Sequence, residues 1–148
     1  MSIGHSLQTA FLGVHQAIYR RTGGRVGHRL AGAPSLLLHT TCRRSGLPRT
    51  AVLVYARDVS DFVVVASNDG QDHPPAWLLN ILANPAVAVQ VARHRAGGQA
   101  RVIEPGDPDY ARLWALVNKV NHGRYEGYQR RTTRPISLVA VTPSEPLA

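Results

Sequence analysis

The residues best suited to chemistry lie in the segment 40–49, which reads Thr-Thr-Cys-Arg-Arg-Ser-Gly-Leu-Pro-Arg. It carries three guanidinium groups, several hydroxyls and the main-chain amide of a glycine. Arginine suits planar, bidentate partners such as phosphate and carboxylate, and N–H groups in a tight turn add further donors. The segment predicts an anion-binding cradle, although a basic turn exposed to water would have the same composition. Its candidate residues are Arg43, Arg44, Ser45, Gly46 and Arg49.

Two tyrosines near the C-terminal end form a second candidate site. Tyr125 and Tyr128 are three residues apart, so in a helix they would lie on the same face. Phenol groups can pack against a flat ligand and donate a hydrogen bond to an oxygen that acquires charge. The alternative is that both rings close the edge of a sheet with their hydroxyl groups in water.

Other kinds of site have less support from the sequence. Cys42 is the single cysteine, which excludes an internal disulfide, and no histidine and asparagine pattern supports it as a nucleophile. The seven histidines never occur at the i, i+4 spacing of a helical zinc pair, so we expect no metal site. The few carboxylates lie in turn or capping contexts and form no catalytic dyad.

The composition is typical of one packed, basic domain. Of the 148 residues, 44% are hydrophobic and 18% are charged, and the formal charge is +8 because 17 lysines and arginines face 9 acidic residues. Such a charge attracts a phosphorylated small molecule, a nucleic acid or an acidic membrane surface. No apolar run reaches the roughly 20 residues of a membrane-spanning helix and no signal sequence is evident, so we expect a cytoplasmic protein.

Hydrophobic periodicity predicts the elements that position these residues. Helical spacing predicts a helix over residues 6–20, a second over residues 76–83 behind Pro75, and a third that begins at Asp107 and Pro108 and extends to Val120. The Ala-Gly-Gly sequence at residues 96–98 predicts a turn. Six runs rich in β-branched or alternating apolar residues predict strands at residues 36–41, 50–56, 61–67, 87–91, 99–103 and 136–142.

Together these elements predict an α+β fold. About six mainly antiparallel strands form a sheet that curls into a barrel, with one helix at the N-terminus and others inserted between strands. We expect a single domain over residues 1–148, in which residues 1–30 form the N-terminal helix and a basic connector. The Gly-x-Gly-x-x-Gly and Walker phosphate-binding patterns are absent, which disfavours a Rossmann dehydrogenase or a kinase.

The order of the motifs resembles the deazaflavin-dependent nitroreductase family, the quinone and nitroimidazole reductases that use coenzyme F420, an 8-hydroxy-5-deazaflavin, on a split β-barrel. The resemblance covers most of the chain. Each motif is weak alone, but their shared order is fairly specific. The four motifs are Leu-Leu-His-Thr-Thr-x-Arg-Arg-Ser-Gly-x-Pro-Arg at residues 37–49, Val-Ala-Ser-x-x-Gly at 65–70, Pro-x-Trp-x-x-Asn-x-x-Ala-Asn-Pro at 75–85 and Tyr-x-x-Tyr-Gln at 125–129.

The resemblance implies how the coenzyme binds. Arg43, Arg44 and Ser45 would hold its phosphodiester and acidic oligoglutamyl tail, with Gly46 and Arg49 beside them. The deazaflavin ring would contact Val52, Leu53 and Val54. The mouth, where the ring and the acceptor meet, would be lined by Ser67, Asn68 and Trp77.

The resemblance also implies the reaction. A hydride would pass from the reduced coenzyme to an electron-poor small molecule, which would be a quinone, a nitroaromatic or an activated alkene. Tyr125, Tyr128 and Ser67 would be the catalytic residues, with the tyrosines contacting or protonating the acceptor.

Three alternatives stay open at this point. The same barrel, with its basic amphipathic N-terminal segment, would suit a non-catalytic protein that binds a lipid or quinone and contacts a membrane peripherally. Flavin mononucleotide (FMN) could replace the deazaflavin, although its short phosphate needs fewer cations. Nucleic-acid binding is the weakest alternative, because the predicted strands carry few aromatic residues. The sequence leaves open whether the protein is a monomer or a homodimer.

Overall fold

An antiparallel sheet forms the framework of the described residues. A computed structural model of the protein describes residues 29–30 and 32–147. The helix predicted over residues 6–20 and the connector after it lie outside the described residues. Eight strands form the sheet: β1 (Arg29–Leu30), β2 (Ala33–Thr41), β3 (Pro48–Val54), β4 (Ala56–Asp58), β5 (Asp61–Val65), β6 (Ala86–Val91), β7 (His94–Ile103) and β8 (Leu138–Pro143).

The strands follow the order β1-β2-β6-β7-β8-β5-β4, and β3 pairs with β2 off this path. Every pairing is antiparallel. The helices are α1 (Ala76–Ala83), α2 (Tyr110–Val120) and α3 (Arg124–Gln129), and a 3-10 turn covers Asn68–Gly70. In the part of the chain that is described, these helices are too short or too polar to cross a membrane.

Most predicted elements are confirmed, and the differences have physical reasons. The strand predicted over residues 50–56 is divided into β3 and β4 at Tyr55. The division arises because β3 pairs with β2 whereas β4 pairs with β5, so the chain changes partner strands between them. The third predicted helix begins at Tyr110 rather than at Pro108, and the Asp107 carboxylate accepts the N–H of Asp109 at 2.9 Å in the turn before it.

The turn predicted at residues 96–98 is wrong. The chain turns instead at residues 92–93, where Ala92 has a φ of +52°, and β7 runs straight through both glycines. Gly98 lies opposite β8, where a Cβ atom would approach the Thr142 carbonyl oxygen to 2.6 Å. This glycine therefore allows two strands to approach closely, and it does not make a turn.

The core has two layers, one on each face of the sheet. Along β5, Phe62 and Val64 pack into one layer, and Val63 and Val65 pack into the other. Leu78 and Ile81 of α1 complete the first layer, and the second is covered by α2 and α3. Because both faces of β5 are buried, the turn that follows it starts from a rigid base.

Two edges of the sheet follow one another in the chain. Among the described strands, β3 pairs with β2 and β4 pairs with β5, and Tyr55 is the single residue between them. Its ring meets Phe62 edge-on, with the ring centroids 5.3 Å apart. The sheet is thus a barrel that is open beside β3.

Candidate active site

A cavity of about 590 Å³ opens beside β3. This volume is within the range of roughly 300–1,000 Å³ that is typical of small-molecule sites. Its walls come from the loop after β2, from β3, from the turn after β5, from the start of α1, and from the aromatic residues of α3. The lining residues are Arg43, Ala51, Val52, Leu53, Val54, Val65, Ser67, Asn68, Asp69, Gln71, His73, Pro74, Pro75, Ala76, Trp77, Leu79, Asn121, Tyr125 and Tyr128.

The structure brings most of the predicted site residues to this cavity. Those that line it are Arg43, Val52, Leu53, Val54, Ser67, Asn68, Trp77, Tyr125 and Tyr128. The other four lie outside the cavity wall: Arg44, Ser45 and Gly46 on the exposed loop beside Arg43, and Arg49 exposed near the start of β3. The cradle is therefore an open rim beside the cavity.

Bonds within the loop hold this rim in shape. Cys42 donates its N–H to the Leu47 carbonyl at 2.8 Å, and Gly46 donates its N–H to the Cys42 carbonyl at 2.9 Å. The turn itself therefore uses the Gly46 N–H, which is not available to a ligand. Gly46 has a φ of +74°, which explains the glycine.

Asn80 ties the rim to α1. Its side-chain oxygen accepts two hydrogen bonds from Arg43, one from the backbone N–H and one from Nη1, both at 3.2 Å. Its amide nitrogen donates to Thr40 Oγ1 at 3.3 Å, and the whole side chain is buried. Arg43 therefore has a set orientation, whereas the Arg44 side chain has no hydrogen-bond partner among the residues that the structure describes.

The pKa of the Cys42 thiol depends on the geometry of this loop. A hydrogen bond from the Ser45 side chain, with help from the backbone amides of Ser45 and Arg44, lowers the pKa of Cys42 from 9.0 to about 6. The thiol is then mainly thiolate at neutral pH, and it reports on the geometry of the rim.

The turn after β5 forms another part of the cavity wall. Asn68, Asp69 and Gly70 follow one another with φ values of +45°, +55° and +77°. A Cβ atom on Gly70 would lie 2.6 Å from the Tyr128 carbonyl oxygen, so the turn packs directly on α3. Ser67, at the start of the turn, is only 9% exposed. In the part of the chain that is described, its hydroxyl group has no hydrogen-bond partner.

Arg134 holds this turn from behind. Its Nη1 donates to the Ala66 carbonyl at 3.2 Å, and its Nη2 donates to the Ser67 carbonyl at 3.0 Å and to the Gln71 carbonyl at 2.9 Å. Its Nε also donates to the Gln71 carbonyl, at 3.2 Å. Burial lowers the pKa of Arg134 from its usual value, which reflects the partial loss of solvent around the guanidinium.

The two tyrosines face the cavity from α3. Tyr125 is buried, and its ring centroid lies 6.3 Å from that of Tyr128 at an interplanar angle of 62°. Burial raises the pKa of Tyr125, although a hydrogen bond that the Asn121 side chain donates to the phenol oxygen opposes the rise. Burial, and then the nearby Asp69 carboxylate, raises the pKa of Tyr128. Both phenols therefore keep their protons at neutral pH and can serve as hydrogen-bond donors.

Trp77 serves two purposes in the structure. It is half-buried, lines the cavity and also packs against the core layer that contains Phe62. It therefore belongs to both the core and the cavity wall. Within residues 29–30 and 32–147, no three His, Cys, Asp or Glu side chains are grouped so that they could hold a metal ion.

Sequence reasoning missed three residues that shape this site. Asn80 belongs to one of the four motifs, yet its spacing does not show that it binds Arg43, which is 37 positions away. Arg134 and Asn121 carry no local signal, because their partners meet them only in the folded chain. A buried amide and a half-buried arginine are visible as such only after folding.

Comparison with known proteins gives a consistent result. The sequence model of a family described as F420H(2)-dependent quinone reductase matches residues 12–143. A protein of Mycobacterium tuberculosis strain H37Rv, named F420H(2)-dependent quinone reductase, is 52% identical over 132 residues. That match covers 88% of this chain and 89% of the relative.

Solved structures share the fold. One chain, described as a domain-swapped dimer, superposes with a TM-score of 0.68 at 28% identity and covers 86% of this chain and 96% of its own length. An F420-H2 dependent reductase superposes with a TM-score of 0.66 at 30% identity and covers 73% of this chain and 93% of its own. The predicted class, an α+β split β-barrel, is confirmed.

Proposed function

The chain belongs to the F420H(2)-dependent quinone reductase family, and we propose that its cavity is where a hydride passes from reduced coenzyme F420 to a quinone. The protein is an F420H2-dependent oxidoreductase that acts on a small-molecule electron acceptor. Nitroaromatics and activated alkenes are proposed as further acceptors, because they too are planar and electron-poor.

One observation carries this proposal. One cavity is lined by Arg43, by the apolar residues 51–54 of β3, and by Tyr125 and Tyr128. A ligand that is anionic along a tail and planar at its head matches this combination of surfaces. A lipid carrier without turnover would not need two protonated phenols in the cavity wall.

The residues present fit the coenzyme. Arg43 and Arg44 are exposed cations at the rim, and with Ser45, Gly46 and Arg49 they would hold the phosphodiester and the acidic tail. Val52, Leu53 and Val54 supply a flat wall for the ring, and Ser67, Asn68 and Trp77 surround the mouth. Flavin mononucleotide has only one short phosphate, which would leave Arg44 and Arg49 without an anion.

When bound, the coenzyme would supply the hydride from ring carbon 5, and the protein would supply position and polarity. The cavity walls would need to bring the donor and acceptor atoms to about 3–3.5 Å and exclude water. Tyr125 or Tyr128 donates a hydrogen bond to the oxygen that becomes negative on the acceptor, and Ser67 offers a second hydroxyl. Solvent then supplies the proton that completes the reduction.

The direct test is a titration with the coenzyme followed by a turnover assay. We expect oxidised F420 to bind with a change in its fluorescence, and the reduced form to be consumed when a soluble naphthoquinone is added. Equal titrations with FMN, a fatty acid and an oligonucleotide serve as controls. Binding of one of these in place of F420, or binding of F420 without turnover on any acceptor, would disprove the proposal.

We also propose a homodimer, because a structurally similar chain is described as a domain-swapped dimer. Light scattering should then give twice the chain mass of 16.1 kDa. A mass of one chain at all concentrations would contradict it. The cytoplasmic location, and a peripheral membrane contact through residues 1–30, both stay predictions.

A further inference from the structure

We propose that Arg134 is a positioning residue for hydride transfer: its guanidinium holds the backbone at Ser67 so that the Ser67 hydroxyl faces the cavity. The inference rests on the proposed function and extends it to a residue outside the cavity wall. No sequence motif singled out Arg134, and its place in the fold alone suggests the role.

All the hydrogen bonds of the Arg134 side chain go to backbone carbonyl groups. They join the carbonyls of Ala66, Ser67 and Gln71 through four bonds of 2.9–3.2 Å. These three residues lie at the two ends of the turn that follows β5. The planar fork of an arginine can span separate acceptors in this way, whereas a single ammonium group cannot.

Charge pairing does not explain the position of Arg134. In the described part of the chain, no carboxylate lies within ion-pair distance of its guanidinium. Asp72 is the acidic group that influences it, and the Asp72 carboxylate instead accepts the Thr132 hydroxyl at 2.9 Å. Arg134 is half-buried at this place, so its contacts with the turn account for its location.

The turn needs support from outside. Asn68 and Asp69 are not glycines, yet both adopt positive φ values, and Gly70 continues the same conformation. Within the turn, the Gly70 N–H donates to the Ser67 carbonyl at 2.9 Å and the Gln71 N–H donates to the Asn68 carbonyl at 3.0 Å. Backbone in sparsely populated conformations persists only where surrounding contacts determine it. Arg134 provides such contacts at both ends of the turn.

The link to chemistry is the Ser67 side chain. Its residue is nine-tenths buried, and its hydroxyl has no partner among the residues described, although it faces the same cavity as the tyrosines. Because Ser67 lines the cavity, an atom of a bound ligand can be the partner that its hydroxyl lacks. Movement of the backbone at Ser67 would displace this hydroxyl from the reacting atoms, and an error of 1 Å can reduce rates by about 100-fold.

The test compares Arg134→Lys, which keeps the charge but loses the fork, with Arg130→Lys. Arg130 is exposed and belongs to the same segment, and its side chain makes no hydrogen bond within the described residues. For Arg134→Lys we expect kcat with F420H2 and a soluble naphthoquinone to fall at least about tenfold, with the coenzyme Kd changed by less than about threefold. Arg130→Lys should leave both values near those of the wild type.

Two further measurements separate positioning from a general loss of folding. In the protein without coenzyme, amide hydrogen exchange should accelerate at Gly70 and Gln71 in Arg134→Lys while the strand amides keep their protection. In Arg134→Ala, dilute guanidinium chloride should restore part of the lost kcat, and ammonium chloride should not. If Arg134→Ala does not fold, the Arg134→Lys comparison decides alone.

The proposal is overturned if Arg134→Lys matches the wild type in kcat and in exchange at the turn. It is also overturned if exchange accelerates equally throughout the sheet, because Arg134 would then be a general stability residue. Failure of the proposed function looks different. In that case the wild type itself reduces no acceptor with F420H2, while the exchange difference between Arg134→Lys and Arg130→Lys still reports whether Arg134 holds the turn.

Discussion

The rim at residues 42–47 and the turn at residues 67–71 border the same cavity and are built in opposite ways. The rim is exposed and is closed mainly by its own hydrogen bonds, with Asn80 as its anchor to the fold. The turn is packed under Tyr128 and is bonded from behind by Arg134. The rim and the turn each contain a glycine with positive φ, and of these two only Gly70 approaches other elements closely.

The two regions therefore have different tasks: the rim attracts an anion, and the turn fixes the position of the groups beside the reaction. Exposed arginines act over a distance that salt shortens to about 8–10 Å, and they tolerate movement. A catalytic group must be held within about 0.5 Å, which requires packed neighbours and a bonded backbone. We therefore expect changes at the rim to affect coenzyme affinity, and changes at the turn to affect stability and turnover.

The largest effect should come from adding a methyl group at the two glycines. Gly70→Ala combines a left-handed conformation with the 2.6 Å approach to Tyr128, so it should cost about 2–5 kcal/mol of unfolding free energy. Gly46→Ala meets no atom within 4 Å and should cost only about 1–2 kcal/mol. Urea unfolding at neutral pH measures both. Equal losses of unfolding free energy would mean that the rim and the turn are packed alike.

The next largest effect should come from the paired change Tyr125→Phe and Tyr128→Phe. Loss of both phenol donors should lower kcat about 100-fold, with the coenzyme Kd within about threefold of the wild type. Tyr110→Phe is the matched control, because Tyr110 does not line the cavity. Its hydroxyl donates a hydrogen bond of 2.6 Å to the Ile136 carbonyl. Undiminished turnover in the double variant would remove the tyrosines from the mechanism.

A smaller effect, and one on binding alone, is expected at the rim. Arg43→Ala with Arg44→Ala should raise the coenzyme Kd about tenfold at low salt and reduce its dependence on ionic strength, while kcat changes by less than about twofold. The control pair, Arg93→Ala with Arg95→Ala, removes the same charge from the exposed β6–β7 hairpin. Equal weakening by the two pairs would show that net charge, and not the rim, attracts the coenzyme.

The smallest effect concerns the reactivity of the Cys42 thiol, which reports on the geometry of the rim and can first be measured in the wild type. Since the folded pKa of Cys42 is lowered to about 6, its alkylation by iodoacetamide should accelerate as the pH rises through about 6. In the urea-unfolded chain the same rise should occur near the ordinary thiol value of about 8.5. Ser45→Ala should move the folded midpoint upward, because the Ser45 side chain is the largest cause of the shift. A folded midpoint above pH 8 would contradict the loop geometry.

Local patterns predict much of this fold. Runs of apolar, alternating or β-branched residues identify β2, β5, β6 and β8 closely, and Pro75 marks the start of α1. The error at residues 96–98 has a tertiary cause. Two glycines in sequence are typical of a hairpin turn, but here Gly98 accommodates the backbone of β8, which is more than 40 residues away in the chain.

The site could be predicted in type but not in detail. Arg43 and the tyrosines are recognisable because their own chemistry suggests a ligand, whereas Ser67 is implied only by the family resemblance. Asn80 and Arg134 act through backbone and side-chain partners 37 to 68 positions distant, so no spacing along the sequence connects them. Positioning residues of this kind depend on which loops the sheet brings together, and that is decided by strand pairing.

The single-residue connection at Tyr55 has a consequence for how such proteins diversify. It joins the two sheet edges that flank the opening, so the length of this connection sets how far apart they can stand. An insertion there would widen the opening without replacing any side chain that meets the ligand. Acceptor range can therefore evolve through a change in chain length, at a point removed from the chemistry.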